Sequence, residues 1–314
     1  MVNVEKQRTA MNDGDWPPAY EIDMPAEQTV PFVFSSPHSG SYYPPSFIAQ
    51  SRLGPLTLRG SEDSFVDYIF AAAPKLGAPL IKAVFARAYL DVNREPFELD
   101  PAMFDTPLPD HINTTSPRVR EGLGTIARTV ASGTEIYPGK LSIADAEARI
   151  NNIHRPYHRC LADLLAKTFR QFGCSVLVDC HSMPSGSRLS GPSGSSLSGS
   201  GARSGTADIV IGDRFATSCN GALVDAAQDI LADMGYSVAR NAPYAGGFIT
   251  SHYGAPEKRV HALQIEIKRS LYMDEERIEP NDNLKRLRND FTCLIRELAA
   301  LDPCRPGPQH RAYF

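Results

Sequence analysis

Residues 174–184 read CSVLVDCHSMP. Val176, Leu177 and Val178 form a β-branched, apolar run of the kind that becomes a strand buried on both faces. The run ends in Asp179-Cys180-His181-Ser182, and Met183-Pro184-Ser185-Gly186 turns the chain away. In open α/β sheets, ligands bind beyond the carboxyl ends of the strands. A histidine there, with Asp179 two residues earlier and so on the same side of a strand, suggests a metal ligand and the carboxylate that orients it. A satisfied, buried histidine at a strand end fits the same letters. Cys180 offers a third reading, a thiolate nucleophile, but no base pairs with it in the sequence.

Outward from this strand the chain alternates strands and helices, which argues one α/β domain. A strand over 30–36 ends in Pro37-His38-Ser39-Gly40. A helix is expected over 62–76, capped by Ser61 and stopped by Gly77. Glu62 and Asp63 would then serve its dipole in the first turn. Strands follow over 79–85 and 88–92, the second delivering Asp91-Val92-Asn93-Arg94. Residues 95–140 are rich in Pro, Gly and Thr without a period, and a stretch of that size in a compact domain is usually functional.

Residues 142–172 read as helix, capped by Ser142, stopped by Gly173, and kinked or divided at Pro156. His154 and His158 stand four apart in it like a metalloprotease pair, but the Glu of that motif is missing. The remaining order is a strand over 208–212, a helix over 214–234, a strand over 236–240, the loop NAPYAGG over 241–247, and the strand ALQIEIK over 262–268. In that last strand Gln264, Glu266 and Lys268 share one face. Glu266 there is either a site residue, part of an exposed face, or a partner for Lys268. A final helix spans 283–300. Residues 1–28 read as a terminal arm, 29–302 as the domain, and 303–314 as an irregular tail. The Ser/Gly-rich segment 185–205 reads as flexible, either a lid or a plain insertion.

The 314 residues carry 42% hydrophobic and 22% charged side chains and a formal net charge of -4. That balance leaves no electrostatic footprint for nucleic acid. No apolar run approaches the roughly 20 residues that span a membrane. The polar start MVNVEKQRTAMNDGDW lacks the apolar core of a signal peptide. Six cysteines without a CxxC pair read as reduced thiols in a cytosol.

Two histidines and one carboxylate with an open fourth position make the catalytic form of a zinc site. A second carboxylate that binds no metal can move the proton of an attacking water. An arginine can fork onto a substrate carboxylate. His38, His181, a carboxylate near Asp63, Glu266 and Arg94 could fill these roles, provided that segments far apart in sequence meet.

The motifs SPHSG, RAYLDVNREPFELD, DCHSMPS, NAPYAGGFITSHYG and HALQIEIKRSLYMDE, in this order, resemble the N-formylglutamate amidohydrolase family over residues 31–275. The resemblance implies a fold like the zinc carboxypeptidases and aspartoacylase-type deacylases: a single-domain, mixed, mostly parallel twisted sheet flanked by helices. It implies one zinc ion (Zn2+) per chain, on His38, Asp63 and His181, with Glu62 as the alternative acidic ligand. Asn93 and Arg94 match the substrate-binding pair. Arg87 and the loop residues Tyr244, Gly246 and Gly247 complete that set, and Glu266 matches the catalytic base. The implied reaction is cytoplasmic hydrolysis of N-formyl-L-glutamate to formate and L-glutamate. The rivals are a deacylase or carboxypeptidase-like hydrolase with another N-acyl amino acid or small peptide as substrate, and a catalytically silent binding protein on the same scaffold. One departure stands out. Family members tied to histidine breakdown carry a basic NGRFKGG stretch where this chain has NAPYAGG. Arg87, Arg240 or Arg259 could supply the cation for a second substrate carboxylate; without one, discrimination between N-formylglutamate and an analogue with an uncharged side chain is expected to be small.

Overall fold

Val176, Leu177 and Val178 lie in a nine-residue strand, Ser175–Met183, every residue of which is buried. The computed structural model describes residues 16–130, 133–186, 207–301, 303 and 304. These form a seven-stranded sheet of β1 (Tyr20–Asp23), β2 (Phe32–Ser36), β3 (Leu80–Ala83), β4 (Ser175–Met183), β5 (Ile209–Gly212), β6 (Val238–Arg240) and β7 (Val260–Lys268). The spatial order is β1-β3-β2-β4-β7-β5-β6. β2 runs parallel to both β3 and β4, β4 to β7, and β5 to β6. Within this sheet, among the described residues, only the β1–β3 and β5–β7 pairings are antiparallel. The sheet is therefore mixed and mostly parallel, as the family resemblance implied.

Both faces are covered, which is why the central strands read as continuous apolar runs. On one face Val33, Leu177 and Ala262 pack with Tyr157 and Leu161 of the helix Arg155–Phe172. On the other, Phe34, Val178, Leu263 and Ile265 pack with the helices Gly221–Asp233 and Leu284–Ala299.

The region 142–172 shows how local chemistry is resolved. Ser142 Oγ accepts the Asp145 N–H at 3.1 Å, and Gly173 closes the far end at φ 75°. Pro156 has no N–H to give. The chain does not break there but widens into a π-helical turn, Ile150–His154, between Ile143–Arg149 and Arg155–Phe172.

Four expectations are corrected. Residues 62–65 are not helical: the Asp63 N–H donates to His38 O at 3.0 Å, Phe65 takes φ 67°, and only Val66–Ile69 and Ala73–Leu76 are helical turns. Residues 88–92 are a turn rather than a strand. The N–H groups of Tyr89 and Leu90 both donate to Ala86 O, and the buried Arg149 guanidinium lies 4.1 Å from the centre of the Tyr89 ring. The helix expected from 214 begins at Gly221, because Arg214, Phe215 and Ala216 all have positive φ and Asn220 supplies the cap. Cys174 is not a reduced thiol: it is disulfide-bonded to Cys304.

Tyr20–Asp23, placed in a terminal arm by sequence, is the edge strand paired with β3. The Ser/Gly-rich segment from 187 onward, the first residues of the arm and the end of the tail lie outside the described residues. No helix among the described residues is long and apolar enough to cross a membrane.

Candidate functional site

The site grows out of one face of three strands. Along that face β2, β4 and β7 line up Val33, Leu177 and Ala262, then Ser35, Asp179 and Gln264. One further step along the pleat, His181 stands opposite Glu266. The apolar part of each strand is core, and the polar carboxyl end is presented to one cavity.

His38 lies just past β2. Gly40 lets the chain turn there, since a Cβ at that position would come within 2.2 Å of the Phe85 carbonyl oxygen. Ser39 Oγ donates to Asp63 O at 3.2 Å and accepts the Asp67 N–H at 3.1 Å. With the His38–Asp63 backbone bond, this fastens the second turn against the first.

His38, Asp63 and His181 are buried, and one ligand atom from each lies within 4.8 Å of the others. His181 Nδ1 is 3.0 Å from Asp63 Oδ2, and His38 Nδ1 is 3.3 Å from the same oxygen. Behind each imidazole stands a carboxylate: Asp91 Oδ1 at 2.6 Å from His38 Nε2, and Asp179 Oδ2 at 2.9 Å from His181 Nε2. Such backing fixes the tautomer and ring orientation of a metal-binding histidine. His38 Nδ1 is buried and has no hydrogen-bond partner among the described residues. An orphaned nitrogen facing a carboxylate, between two oriented imidazoles, fits a divalent ion with nitrogen and oxygen donors. Glu62 faces elsewhere, held by Tyr43 Oη at 2.7 Å and Ser64 Oγ at 2.9 Å.

The field favours a cation. Burial alone would raise the Asp63 carboxyl, but the imidazoles of His181 and His38 beside it hold it well below the usual range. Burial would lower His181, yet Asp179 and Asp63 hold it well above the usual imidazole value. Glu266 is pushed up to about 7, first by burial and then by Asp63, against the pull of His181, Arg87 and Arg269. Its Oε1 accepts from Gln264 Nε2 at 2.7 Å, and Gln264 Oε1 accepts the Gly247 N–H at 2.8 Å.

His38, Asp63, His181, Glu266, Arg87, Asn93, Arg94, Tyr244, Gly246 and Gly247 all line a single cavity of about 590 Å³. That volume is typical of small-molecule sites. Asn93 is tied down: its Oδ1 accepts the Ile249 N–H at 2.8 Å, and a Cβ on Gly247 would meet its Nδ2 at 2.5 Å. Arg94 gives Nε to Leu123 O and Nη1 to Asn93 O, both at 2.8 Å, which leaves Nη2 3.7 Å from Asp91. Arg240 and Arg259 do not line the cavity. Arg240 pairs with Asp225 at 2.6 Å, and Arg259 lies over the Phe169 ring.

Sequence reasoning gave no role to Asp91 or Arg269. Arg269 Nη2 reaches Asp63 Oδ1 at 3.1 Å, and its Nε donates to Ser182 Oγ at 3.1 Å. The only sequence signal for it was its place in the KRS that follows the Glu266 strand. Cys180 points to the opposite, apolar side of the sheet, where burial pushes its thiol well above the usual range. Among the described residues no base stands there to make it a nucleophile.

His154 and His158 serve the site without touching the three-residue group. His154 Nε2 donates to Arg94 O at 2.8 Å and His158 Nε2 to Val92 O at 2.7 Å, so the helix grips the backbone on either side of Asn93. Burial, followed by the charges of neighbouring histidines, lowers His158 to about 3, which keeps it neutral and leaves Nδ1 to accept from Tyr253 Oη. His158→Phe should therefore cost about 1–3 kcal/mol of unfolding free energy in urea, the penalty of an unpaired buried carbonyl. Bound metal should not change. Loss of metal instead would make His158 a ligand.

A family model described as N-formylglutamate amidohydrolase matches residues 30–273. The chain is 29% identical to the N-formylglutamate deformylase of Pseudomonas aeruginosa over 252 residues, 79% of this chain and 84% of that protein. It is 28% identical to the N-formylglutamate deformylase of Pseudomonas putida over 253 residues, 78% of this chain and 83% of that protein. The crystal structure of N-formylglutamate amidohydrolase from Ralstonia eutropha superposes with TM-score 0.81 at 36% identity, covering 90% of this chain and 97% of that one. A gene product of Agrobacterium tumefaciens shares the fold at TM-score 0.62 and 18% identity, over 90% of this chain and 95% of that one.

Proposed function

The chain belongs to the N-formylglutamate amidohydrolase family, and we propose that it is a zinc-dependent hydrolase that cleaves N-formyl-L-glutamate to formate and L-glutamate. One observation carries the metal part of this reading: His38 Nδ1 is buried without a hydrogen-bond partner among the described residues, beside Asp63 and His181. The names of the relatives support the substrate.

In this reading His38, Asp63 and His181 hold one zinc ion. When bound, zinc supplies Lewis acidity, acidifying water and polarising a carbonyl. Asp91 and Asp179 keep the two imidazoles turned toward it through their Nε2 atoms. Glu266 takes the proton of the water that adds to the formyl carbon and passes it to the leaving nitrogen as the C–N bond breaks. Burial, the first cause of its raised pKa of about 7, keeps its proton affinity high enough for that task. Arg94, pre-oriented by two backbone carbonyls, takes the α-carboxylate through Nη2, with Arg87 beside it. The enzyme would work in the cytoplasm on a small free substrate.

The test is release of formate from N-formyl-L-glutamate by pure protein, followed with a coupled formate assay. Stoichiometric formate and glutamate are expected. No release with zinc present would remove the reading.

A further inference from the structure

Five arginines line the cavity: Arg87, Arg94, Arg118, Arg214 and Arg269. Four already face a carboxylate. Arg87 and Arg94 share Asp91 at 2.7 and 3.7 Å, Arg118 meets Glu121 at 3.0 Å, and Arg269 meets Asp63 at 3.1 Å. Among the described residues Arg214 has no carboxylate partner. Its Nη1 donates to Gly246 O at 3.2 Å, while Nε and Nη2 have no protein acceptor there.

Its placement is enforced. Arg214, Phe215 and Ala216 have φ of 53°, 57° and 65°, a left-handed turn that non-glycine residues adopt only when the surroundings demand it. Asn241 imposes the turn. Its Oδ1 accepts the Asp213 N–H at 3.0 Å and the Phe215 N–H at 3.4 Å, and its Nδ2 donates to Asp213 Oδ1 at 2.6 Å. The Arg214 N–H donates to Ala245 O at 2.8 Å. The aliphatic stem packs so closely on the loop that a Cβ at Gly246 would come within 3.0 Å of Arg214 Cδ. The loop beneath, Asn-Ala-Pro-Tyr-Ala-Gly-Gly, has no cation of its own. Its last residue, Gly247, is joined through Gln264 to Glu266.

We propose that Arg214 is the specificity residue of this enzyme: it receives the side-chain carboxylate of N-formylglutamate while Arg94 receives the α-carboxylate. The inference rests on the deformylase reading above and adds the residue that selects a doubly charged substrate. A guanidinium fork matches a carboxylate bidentately, and Arg214, exposed at the cavity wall, can exchange the water on its free N–H groups for a substrate carboxylate. The amide of N-formylglutamine has the same shape but no charge, so it should not satisfy Arg214.

The experiment compares kcat/KM for N-formyl-L-glutamate and N-formyl-L-glutamine in wild type, Arg214→Gln and Arg214→Lys. Wild type should prefer the glutamate derivative by about 100-fold, roughly 2.7 kcal/mol at 1.36 kcal/mol per tenfold. Arg214→Gln should lose that preference through the glutamate derivative alone, leaving the glutamine rate within about threefold, and Arg214→Lys should restore part of it. An equal fall on both substrates would mean that Arg214 only holds the loop, and the proposal fails. A wild type that cleaves both equally well also overturns it, while leaving the deformylase reading intact. A wild type that cleaves neither removes that reading and this inference together.

Discussion

Glu266→Gln should lower kcat on N-formyl-L-glutamate by about 10²–10⁴-fold, the usual share of general acid–base catalysis. KM and bound zinc should stay near the wild-type values. The carboxylate is buried and aligned by Gln264, and it stands opposite His181 across the β4–β7 register. Glutamine keeps the volume but cannot accept the proton of water. An interaction made only in the transition state lowers kcat and kcat/KM equally. The measurement is steady-state kinetics beside elemental analysis of the same preparation. A variant that loses zinc would make Glu266 a ligand, and one that keeps full kcat would move the base elsewhere.

Asp63→Asn should abolish zinc binding at micromolar metal and reduce activity to background. Asparagine keeps the shape and a carbonyl oxygen for Ser182, but it removes the negative charge that faces His38, His181 and Arg269. Glu62→Gln should keep zinc and activity, because Glu62 is bound by Tyr43, Ser64 and Arg59 away from the cavity. It should cost only stability, about 1–3 kcal/mol for a disturbed buried hydrogen-bond group. The neighbouring pair is thus a built-in control, and inverted results would reassign the acidic ligand. Zinc content by mass spectrometry and urea unfolding separate the two effects.

Much of the frame was legible in the sequence. Val176, Leu177 and Val178 announced a doubly covered strand because both faces of β4 are buried. Asp179 and His181 marked the polar strand end that the structure turns into the cavity wall, although the letters alone fitted a satisfied buried histidine equally well. What failed depended on contacts across the chain. Residues 62–65 have helical letters, but the bond from Asp63 N–H to His38 O and the positive φ of Phe65 override local preference. Residues 88–92 alternate like a strand and are held as a turn by Arg149, which is distant in sequence.

Arg214-Phe215-Ala216 contains no glycine to flag a left-handed turn, so it reads as the start of a helix. The positioning duty of His154 and His158 had a legible spacing but no legible target, since their acceptors are the carbonyls of Arg94 and Val92. Asp91 and Arg269 hold His38 and Asp63 in place; both stood in segments the sequence singled out, Asp91-Val92-Asn93-Arg94 and the KRS after the Glu266 strand, but their partners are distant in sequence and so were not legible.

The most direct test of the metal-centred account is a zinc titration of chelated wild-type protein, with formate release from N-formyl-L-glutamate read at each addition. Activity should be absent without metal, rise linearly, and level off sharply at one zinc per chain, while the Asp63→Asn variant stays flat throughout. Full activity in protein shown by elemental analysis to be metal-free would contradict it.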